Sequence, residues 1–319
     1  MLRKWVVTAV IAMSVLAVAV GAYAAQAPKD DKPVGEDMIQ KITAAMPATA
    51  PAKPAQPRKL LVFTLTKGFH HGSIPVAAKA FEIMGKKTGA WETTVSDDPA
   101  VFKAESLAKF DGVMMDNTTG EPFADEDLKK SLLEFVKNGK GISGCHAATD
   151  CFYKWADYGE MMGGFFTGHL PGKVKISVKI DDPASPINAP FAGKGFEIAD
   201  EIYMFKEPYS REKLHILLSI DYENAQFKGT KRPDNDYAVS WIHDYGKGRV
   251  FYCSLGHFED IFWNAPVLAH YLAGIQYMMG DLKADATPTA KLKIEAAPGP
   301  KLAPQPEKKP AEKKPAEKK

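Results

Sequence analysis

The middle of the chain alternates short apolar runs with amphipathic segments, and this order permits few folds. Residues 59–66 (KLLVFTLT) form a nearly continuous apolar run that ends at Lys67-Gly68, as expected of a strand buried on both faces of a parallel sheet. Residues 74–88 follow with apolar positions at helical spacing, and Pro75 stands in the first turn, where its missing N–H is not needed. A strand, a helix and a further strand in succession form the unit of a doubly wound α/β sheet.

The same alternation continues along the chain. Further strands are predicted over residues 92–95, 110–115, 140–144 and 248–254, and further helices over 125–137 and 266–279. Residues 174–180 (VKISVKI) alternate cleanly between apolar and polar, so an antiparallel excursion is predicted from residue 174 to about 218. The expected fold class is therefore α/β, a doubly wound parallel sheet with an antiparallel excursion.

The first residues have the form of an export signal. Arg3 and Lys4 precede an uncharged apolar run over residues 5–20, and residues 22–24 (AYA) have the small-x-small form of a cleavage site. We predict a signal peptide over residues 1–24 and a periplasmic or secreted mature protein. The alternative is an uncleaved membrane anchor, because the run approaches the length that spans a bilayer. No later stretch is long and apolar enough to span, so no integral membrane segment is expected after signal cleavage.

The composition on either side of the α/β pattern indicates linkers. Residues 25–58 are rich in Pro, Ala, Lys and Asp, and residues 284–319 are rich in Pro and Ala and end in a repeated Glu-Lys-Lys-Pro-Ala pentad. We predict a disordered linker over 25–58, one domain over 59–283 and a disordered tail over 284–319. The formal net charge of +2 is too small to indicate a nucleic-acid partner.

Polar side chains follow several predicted strands at the point where each strand ends. Loops after parallel strands meet at one edge of the sheet, where open α/β sheets bind ligands. The residues concerned are His70 and His71 after the first strand, Asn117 and Thr118 after the third, His146 and Asp150 after the fourth, and His257 after the last. We expect them to converge on one crevice.

These residues stand in motifs that resemble a known family. The motifs are residues 67–74 (KGFHHGSI), 144–150 (GCHAATD), 163–165 (GGF) with His169, 200–203 (DEIY), 245–252 (YGKGRVFY) and 255–257 (LGH). The chain from about Lys59 to Asp281 resembles the ThuA-like (trehalose utilisation) proteins, which share the flavodoxin-like fold of the class I glutamine amidotransferases. It departs from the family at His71, where an acidic or other polar residue often stands.

Comparison with the amidotransferases bears on the nucleophile. Their catalytic cysteine lies in a strand-to-helix elbow of the form Gly-x-Cys-x-Gly, and alignment on Gly144 puts His146 at that position. Cys145 falls one place early, so its side chain is expected to point toward the sheet and to pack as a small buried residue. We therefore predict neither a cysteine nucleophile nor glutaminase activity.

The predicted site joins histidines to a few carboxylates, hydroxyls and amides. The predicted catalytic residues are His70, His146, Asp150 and His257, and the predicted substrate-binding residues are His71, Asn117, Thr118, His169, Glu201 and Trp241. A pair of histidines can remove and return a proton at two carbons of a sugar. His70, His146 and His257, with Asp150 or Glu201, equally offer donors for a divalent metal such as zinc. The residue pattern leaves both chemistries open.

The resemblance implies a role in carbohydrate utilisation. The expected ligand is a small carbohydrate, a disaccharide or an oxidised (keto) sugar, and the expected activity is that of a hydrolase or an isomerase. A keto sugar would come from a partner sugar oxidoreductase. A non-catalytic carbohydrate-binding protein is the alternative.

Overall fold

A computed structural model describes residues 33–170, 172–224 and 232–303. The predicted signal peptide and the repeated pentads at the end of the chain lie outside the described residues. Among the helices in these ranges, none has both the length and the apolar character needed to cross a membrane.

The described residues alternate strands and helices as the sequence pattern predicts. The helices are α1 (Glu36–Ala45), α2 (Ile74–Thr88), α3 (Ala104–Leu107), α4 (Glu126–Lys137), α5 (Ala156–Met162) and α6 (Ala265–Met278). The strands are β1 (Lys59–Phe63), β2 (Glu92–Ser96), β3 (Gly112–Asp116), β4 (Gly141–Cys145), β5 (Phe165–His169), β6 (Val174–Ile180), β7 (Phe196–Asp200), β8 (Tyr203–Lys206), β9 (His215–Ile220), β10 (Ala238–Tyr245) and β11 (Gly248–Cys253).

Nine strands form one sheet in the order β2-β1-β3-β4-β11-β10-β9-β6-β7. The first five are parallel to one another, and the other four continue the sheet by antiparallel pairing. Strands β5 and β8 form a separate antiparallel pair. The α/β class and the antiparallel excursion are both confirmed.

The core lies on both faces of the sheet. Alternate residues of β1 point to opposite sides, with Leu60 and Val62 in one hydrophobic cluster and Leu61 and Phe63 in the other. Helices α2 and α6 cover the first face, and α4 and α5 cover the second. Burial on both faces is why this strand is apolar at four consecutive positions, residues 60–63, rather than at every second one.

Residues 33–58 differ from the disordered linker predicted for 25–58. Helix α1 packs on the domain, with Ile42 fully buried in the core, and Lys87 Nζ donates hydrogen bonds to the carbonyl oxygens of Thr43 (2.8 Å) and Met46 (2.9 Å). Its apolar residues Met38, Ile42 and Ala45 are spaced three to four apart and form a stripe along one face. The polar remainder of the segment lowers the mean hydropathy and masks that stripe.

Residues 284–303 also differ from the predicted disordered tail. Ala297 exchanges two backbone hydrogen bonds of 2.9 Å with Ile180, and Leu302 is buried. Backbone pairing of this kind needs no apolar run, so the composition carries no sign of it. The segment belongs to the domain and pairs with the last residue of β6.

Candidate active site

A histidine occupies the sharp turn that follows β4. His146 adopts a left-handed φ of 43°, a conformation that is costly for a residue with a β-carbon and often found at functional sites. Its Nδ1 lies 2.7 Å from the carbonyl oxygen of Ser254. Because a carbonyl only accepts, Nδ1 is the donor, and in the neutral ring Nε2 carries the lone pair.

The loop after β11 approaches this turn closely at a glycine. Gly256 has a φ of 146°, and a β-carbon there would lie 2.9 Å from Cys145 Sγ and 3.4 Å from the His146 β-carbon. Its N–H donates to Asp200 Oδ2 at 2.7 Å, which joins the end of β7 to the loop that carries His257. A side chain at residue 256 would separate the two loops.

Three polar atoms meet at the floor of the resulting crevice. His146 Nε2 lies 3.2 Å from His257 Nδ1 and 3.5 Å from Glu201 Oε2, and His257 Nδ1 lies 3.1 Å from the same carboxylate oxygen. With His71 these residues form a cluster whose four potential ligand atoms all lie within 4.8 Å of one another. We call these four residues the His₃Glu cluster.

His71 is the member of the cluster that the loop after β1 contributes. The residue is 3% exposed, and its ring stands nearly perpendicular to those of His146 and His257, with centroids 4.9 and 5.0 Å away. Its Nδ1 is buried without a hydrogen-bond partner. Such atoms are rare and call for an explanation.

The electrostatics favour an ionised glutamate and a neutral His71. Burial by itself would raise the pKa of Glu201, but the contacts with His146 and His257, together with their positive charge when protonated, outweigh it and lower that pKa well below its usual range. Burial, reinforced by repulsion from His146 and His257, holds the pKa of His71 well below 6.5. Burial also raises the pKa of Asp150, opposed by a hydrogen bond from Tyr153.

A cavity of about 560 Å³ opens above the cluster. Four aromatic residues contribute to its walls: Phe69, Tyr153, Phe166 and Tyr203. Tyr203 packs on the His146 ring at 4.2 Å and on Phe166 at 4.3 Å. At the rim, His169 Nδ1 lies 3.0 Å from Glu201 Oε1, and Tyr153 donates to Asp150 Oδ1 at 2.5 Å.

The structure brings together most of the residues predicted from the strand ends. His71, Asp150, His169, Glu201 and His257 line the cavity, and His146 lies just beneath in the cluster. His71 was expected to bind substrate and His70 to act in catalysis. The structure reverses their positions, because His71 enters the cluster whereas His70 is half-buried and does not line the cavity.

Three predicted substrate-binding residues lie away from the cavity. Asn117 and Thr118 are fully buried and contact Asp116 and Cys151 respectively. Trp241 is also fully buried: it stacks on Tyr252 at 4.2 Å and donates to the Met162 carbonyl. None of the three lines the cavity or belongs to the His₃Glu cluster, and their polar contacts are made within the core.

The sequence analysis missed the aromatic walls and one supporting carboxylate. Tyr153 follows the GCHAATD motif by three residues, and Asp200 and Tyr203 flank Glu201 in the DEIY motif. Their positions in those motifs were the available signal. Their roles depend on β8 and the β11 loop folding over the strand ends, which the motifs do not specify.

Cys145 points away from the cavity, as predicted from the elbow alignment. It is fully buried in the core, its Sγ accepts a hydrogen bond from Tyr271 at 3.3 Å, and burial raises the pKa of its thiol well above the ordinary value. Cys151 and Cys253 are buried as well, with burial raising each pKa to about 12. None of the three is an activated thiolate.

Fold and site together define an α/β protein with a doubly wound sheet and a histidine at the elbow position after β4. The chain belongs to the ThuA family, described as trehalose utilisation, whose sequence pattern it matches over residues 59–278.

Solved structures of ThuA-like proteins share the fold. One from Bacteroides uniformis has 18% sequence identity and a TM-score of 0.59, with 75% of this chain and 99% of that chain covered. Another from Parabacteroides merdae has 17% identity and a TM-score of 0.54, with 72% and 93% covered. A search among curated proteins found no significant match.

Proposed function

We propose that the protein is an exported enzyme that processes a disaccharide or an oxidised (keto) sugar at the His₃Glu cluster. The observation that carries this proposal is the placement of three imidazoles and a carboxylate on the floor of an aromatic-walled cavity. Membership of the trehalose utilisation family supports the substrate class.

The cavity has the size and lining that a small carbohydrate requires. Its volume of about 560 Å³ falls within the roughly 300 to 1,000 Å³ of typical small-molecule sites. Phe69 is 51% exposed and Tyr153 is 42% exposed, so their rings are free to pack against the apolar faces of sugar rings. Asp150 and His169 at the rim supply hydrogen-bonding groups for sugar hydroxyls.

The cluster supplies both a base and an acid. In a keto sugar, the carbon next to the carbonyl holds an acidic proton, which the Glu201 carboxylate or a neutral imidazole can accept. Where that carbon bears a hydroxyl, a second imidazole in its protonated form then returns a proton to the former carbonyl carbon, and the hydroxyl proton moves to the former carbonyl oxygen, so an isomerisation proceeds with no net oxidation and no co-reactant. The same pair can activate water and protonate a leaving oxygen in a hydrolysis.

A keto sugar must be produced by an oxidation, so the proposal includes a partner sugar oxidoreductase. We also propose that the enzyme is exported through a cleaved signal peptide. The basis is the N-terminal sequence, in which Arg3 and Lys4 precede an apolar run over 5–20 and a small-x-small cleavage site at 22–24. Mass spectrometry of the mature protein should find a new N-terminus near Ala25. Recovery of intact Met1 would exclude cleavage.

A substrate screen tests the activity. We expect the purified protein to turn over at least one substrate among trehalose, other disaccharides and their 3-keto derivatives, and Glu201→Gln to lower kcat/KM by about 10²- to 10⁴-fold. His70→Gln is the matched control, since His70 adjoins the cluster in sequence but does not line the cavity, and it should retain activity. Sugar binding without turnover, unchanged in Glu201→Gln, would instead identify a non-catalytic carbohydrate-binding protein.

A further inference from the structure

We infer that the His₃Glu cluster binds one divalent transition-metal ion of the zinc type, with His71, His146, Glu201 and His257 as its ligands. The inference concerns the site of the proposed function but does not rest on it, because metal binding is measured without any sugar. With an ion bound, the lone pairs of these four residues are occupied, so the acid and base roles described above belong to the metal-free cluster.

The spacing of the ligand atoms fits a metal ion. Two atoms bound at about 2.0 to 2.1 Å to a tetrahedral zinc ion lie roughly 3.4 Å apart. The three contacts among His146 Nε2, His257 Nδ1 and Glu201 Oε2 measure 3.2, 3.5 and 3.1 Å. They form a triangle close to one face of such a tetrahedron.

Hydrogen bonding alone does not account for this triangle when the imidazoles are neutral. His146 Nδ1 donates to the Ser254 carbonyl, so Nε2 of the neutral ring is an acceptor, as is Glu201 Oε2. The single proton on His257 Nδ1 can serve only one of these two acceptors, which still face each other at 3.5 Å. A cation at the centre satisfies all three lone pairs at once.

His71 supplies an independent observation. The residue is 3% exposed, and its Nδ1 is buried without a partner, although it belongs to a cluster whose ligand atoms lie within 4.8 Å of one another. A buried imidazole without a partner pays a desolvation penalty. A coordination bond from the ring to an ion bound among these four residues would offset this penalty.

The surrounding contacts resemble those that support metal ligands. Ligating histidines usually donate their other ring N–H to a carbonyl or carboxylate, which fixes the tautomer, as His146 does to Ser254 at 2.7 Å. Glu201 presents Oε2 to the cluster, and its Oε1 lies 3.0 Å from His169 Nδ1. Imidazole nitrogens with one carboxylate oxygen suit zinc better than calcium or magnesium, which prefer all-oxygen sites.

Zinc titration of the tag-free, EDTA-treated protein tests the inference. We expect one Zn²⁺ per chain by calorimetry and by elemental analysis after dialysis. Loss of a supporting contact already weakens metal binding about 10- to 100-fold, so His71→Gln and Glu201→Gln, which each remove a ligand, should weaken it by at least about 100-fold. His70→Gln, on the same loop as His71, should bind like the wild type.

Cobalt provides a second readout. Co²⁺ bound to the wild type should give visible absorption of a nitrogen- and oxygen-ligated site, and this signal should be absent in His71→Gln. Circular dichroism of each variant checks that it is folded. The inference fails if the folded wild type takes up less than about a tenth of an equivalent of Zn²⁺. It also fails if His71→Gln and Glu201→Gln bind Zn²⁺ as tightly as His70→Gln does.

Discussion

Buried and half-buried histidines occur in two regions of this protein, and their surroundings differ. In the antiparallel half of the sheet and the helix that covers it, His215, His243 and His270 each have an oxygen partner for both ring nitrogens. At the strand ends, His71, His146 and His257 face one another and a single glutamate, and one nitrogen has no partner at all.

The histidines of the first region stabilise the fold, whereas those at the strand ends are positioned to bind a ligand. His270, for example, contacts the Ser240 hydroxyl at 2.9 Å and the Ile187 carbonyl at 3.0 Å, and burial lowers its pKa to about 4. Such a residue is a neutral, fully bonded part of the core. The cluster histidines crowd together and leave His71 Nδ1 without a hydrogen-bond partner, an arrangement that the fold alone does not require.

The largest difference should appear on substituting His146. We expect His146→Ala to lower kcat/KM by about 10²- to 10⁴-fold with a smaller loss of Tm than His270→Ala, because His146 lies just beneath the cavity and occupies a strained turn. Steady-state kinetics and thermal unfolding of the same sample measure both effects. A large loss of Tm would assign His146 to the structural group instead.

His270→Ala should give the opposite pattern. The substitution leaves a cavity and two buried groups, Ser240 Oγ and the Ile187 carbonyl, without their partner, so we expect a loss of roughly 2 to 4 kcal/mol in the free energy of unfolding. Activity per folded molecule should be unchanged. Denaturant unfolding with parallel kinetics checks this, and an activity loss at unchanged stability would count against the division drawn between the regions.

The pH dependence of stability sharpens the comparison within the cluster. The pKa of His71 in the folded protein lies well below 6.5. Below pH 6.5 the unfolded chain therefore binds a proton at this residue that the folded chain does not bind. The metal-free wild type should therefore lose stability as pH falls from 6.5, by at most about 1.4 kcal/mol per pH unit from this residue. His71→Gln should show a shallower slope in urea unfolding between pH 7 and 5. Parallel slopes would mean that His71 takes up its proton in the folded state.

Thiol alkylation should have the smallest effect. All three cysteines are buried, and Cys145 points away from the cavity, so iodoacetamide should leave sugar turnover largely intact. Activity measured before and after treatment, with the extent of labelling from mass spectrometry, provides the check. Inactivation that substrate prevents would place a cysteine in the site and shift the elbow alignment by one residue.

Much of this arrangement was predictable from local sequence. The apolar run that became β1 and the helix at Ile74–Thr88 follow from periodicity, and the parallel topology then brings the following loops to one edge. This reasoning found His146 and His257. It did not separate His70 from His71, because adjacent residues in a loop have no periodicity to show which of them faces the crevice.

What the sequence by itself determined was the α/β class, the family and the edge of the sheet that carries the site, because these depend on patterns within single segments. The tertiary structure alone decided the composition of the cluster. Glu201 joins the cluster from the antiparallel part of the chain. The tertiary structure likewise decided that Trp241 lies in the core and that residues 33–58 and 284–303 pack on the domain. Each of these outcomes depends on contacts between segments far apart in the chain. The residue pattern within one segment does not reveal such contacts.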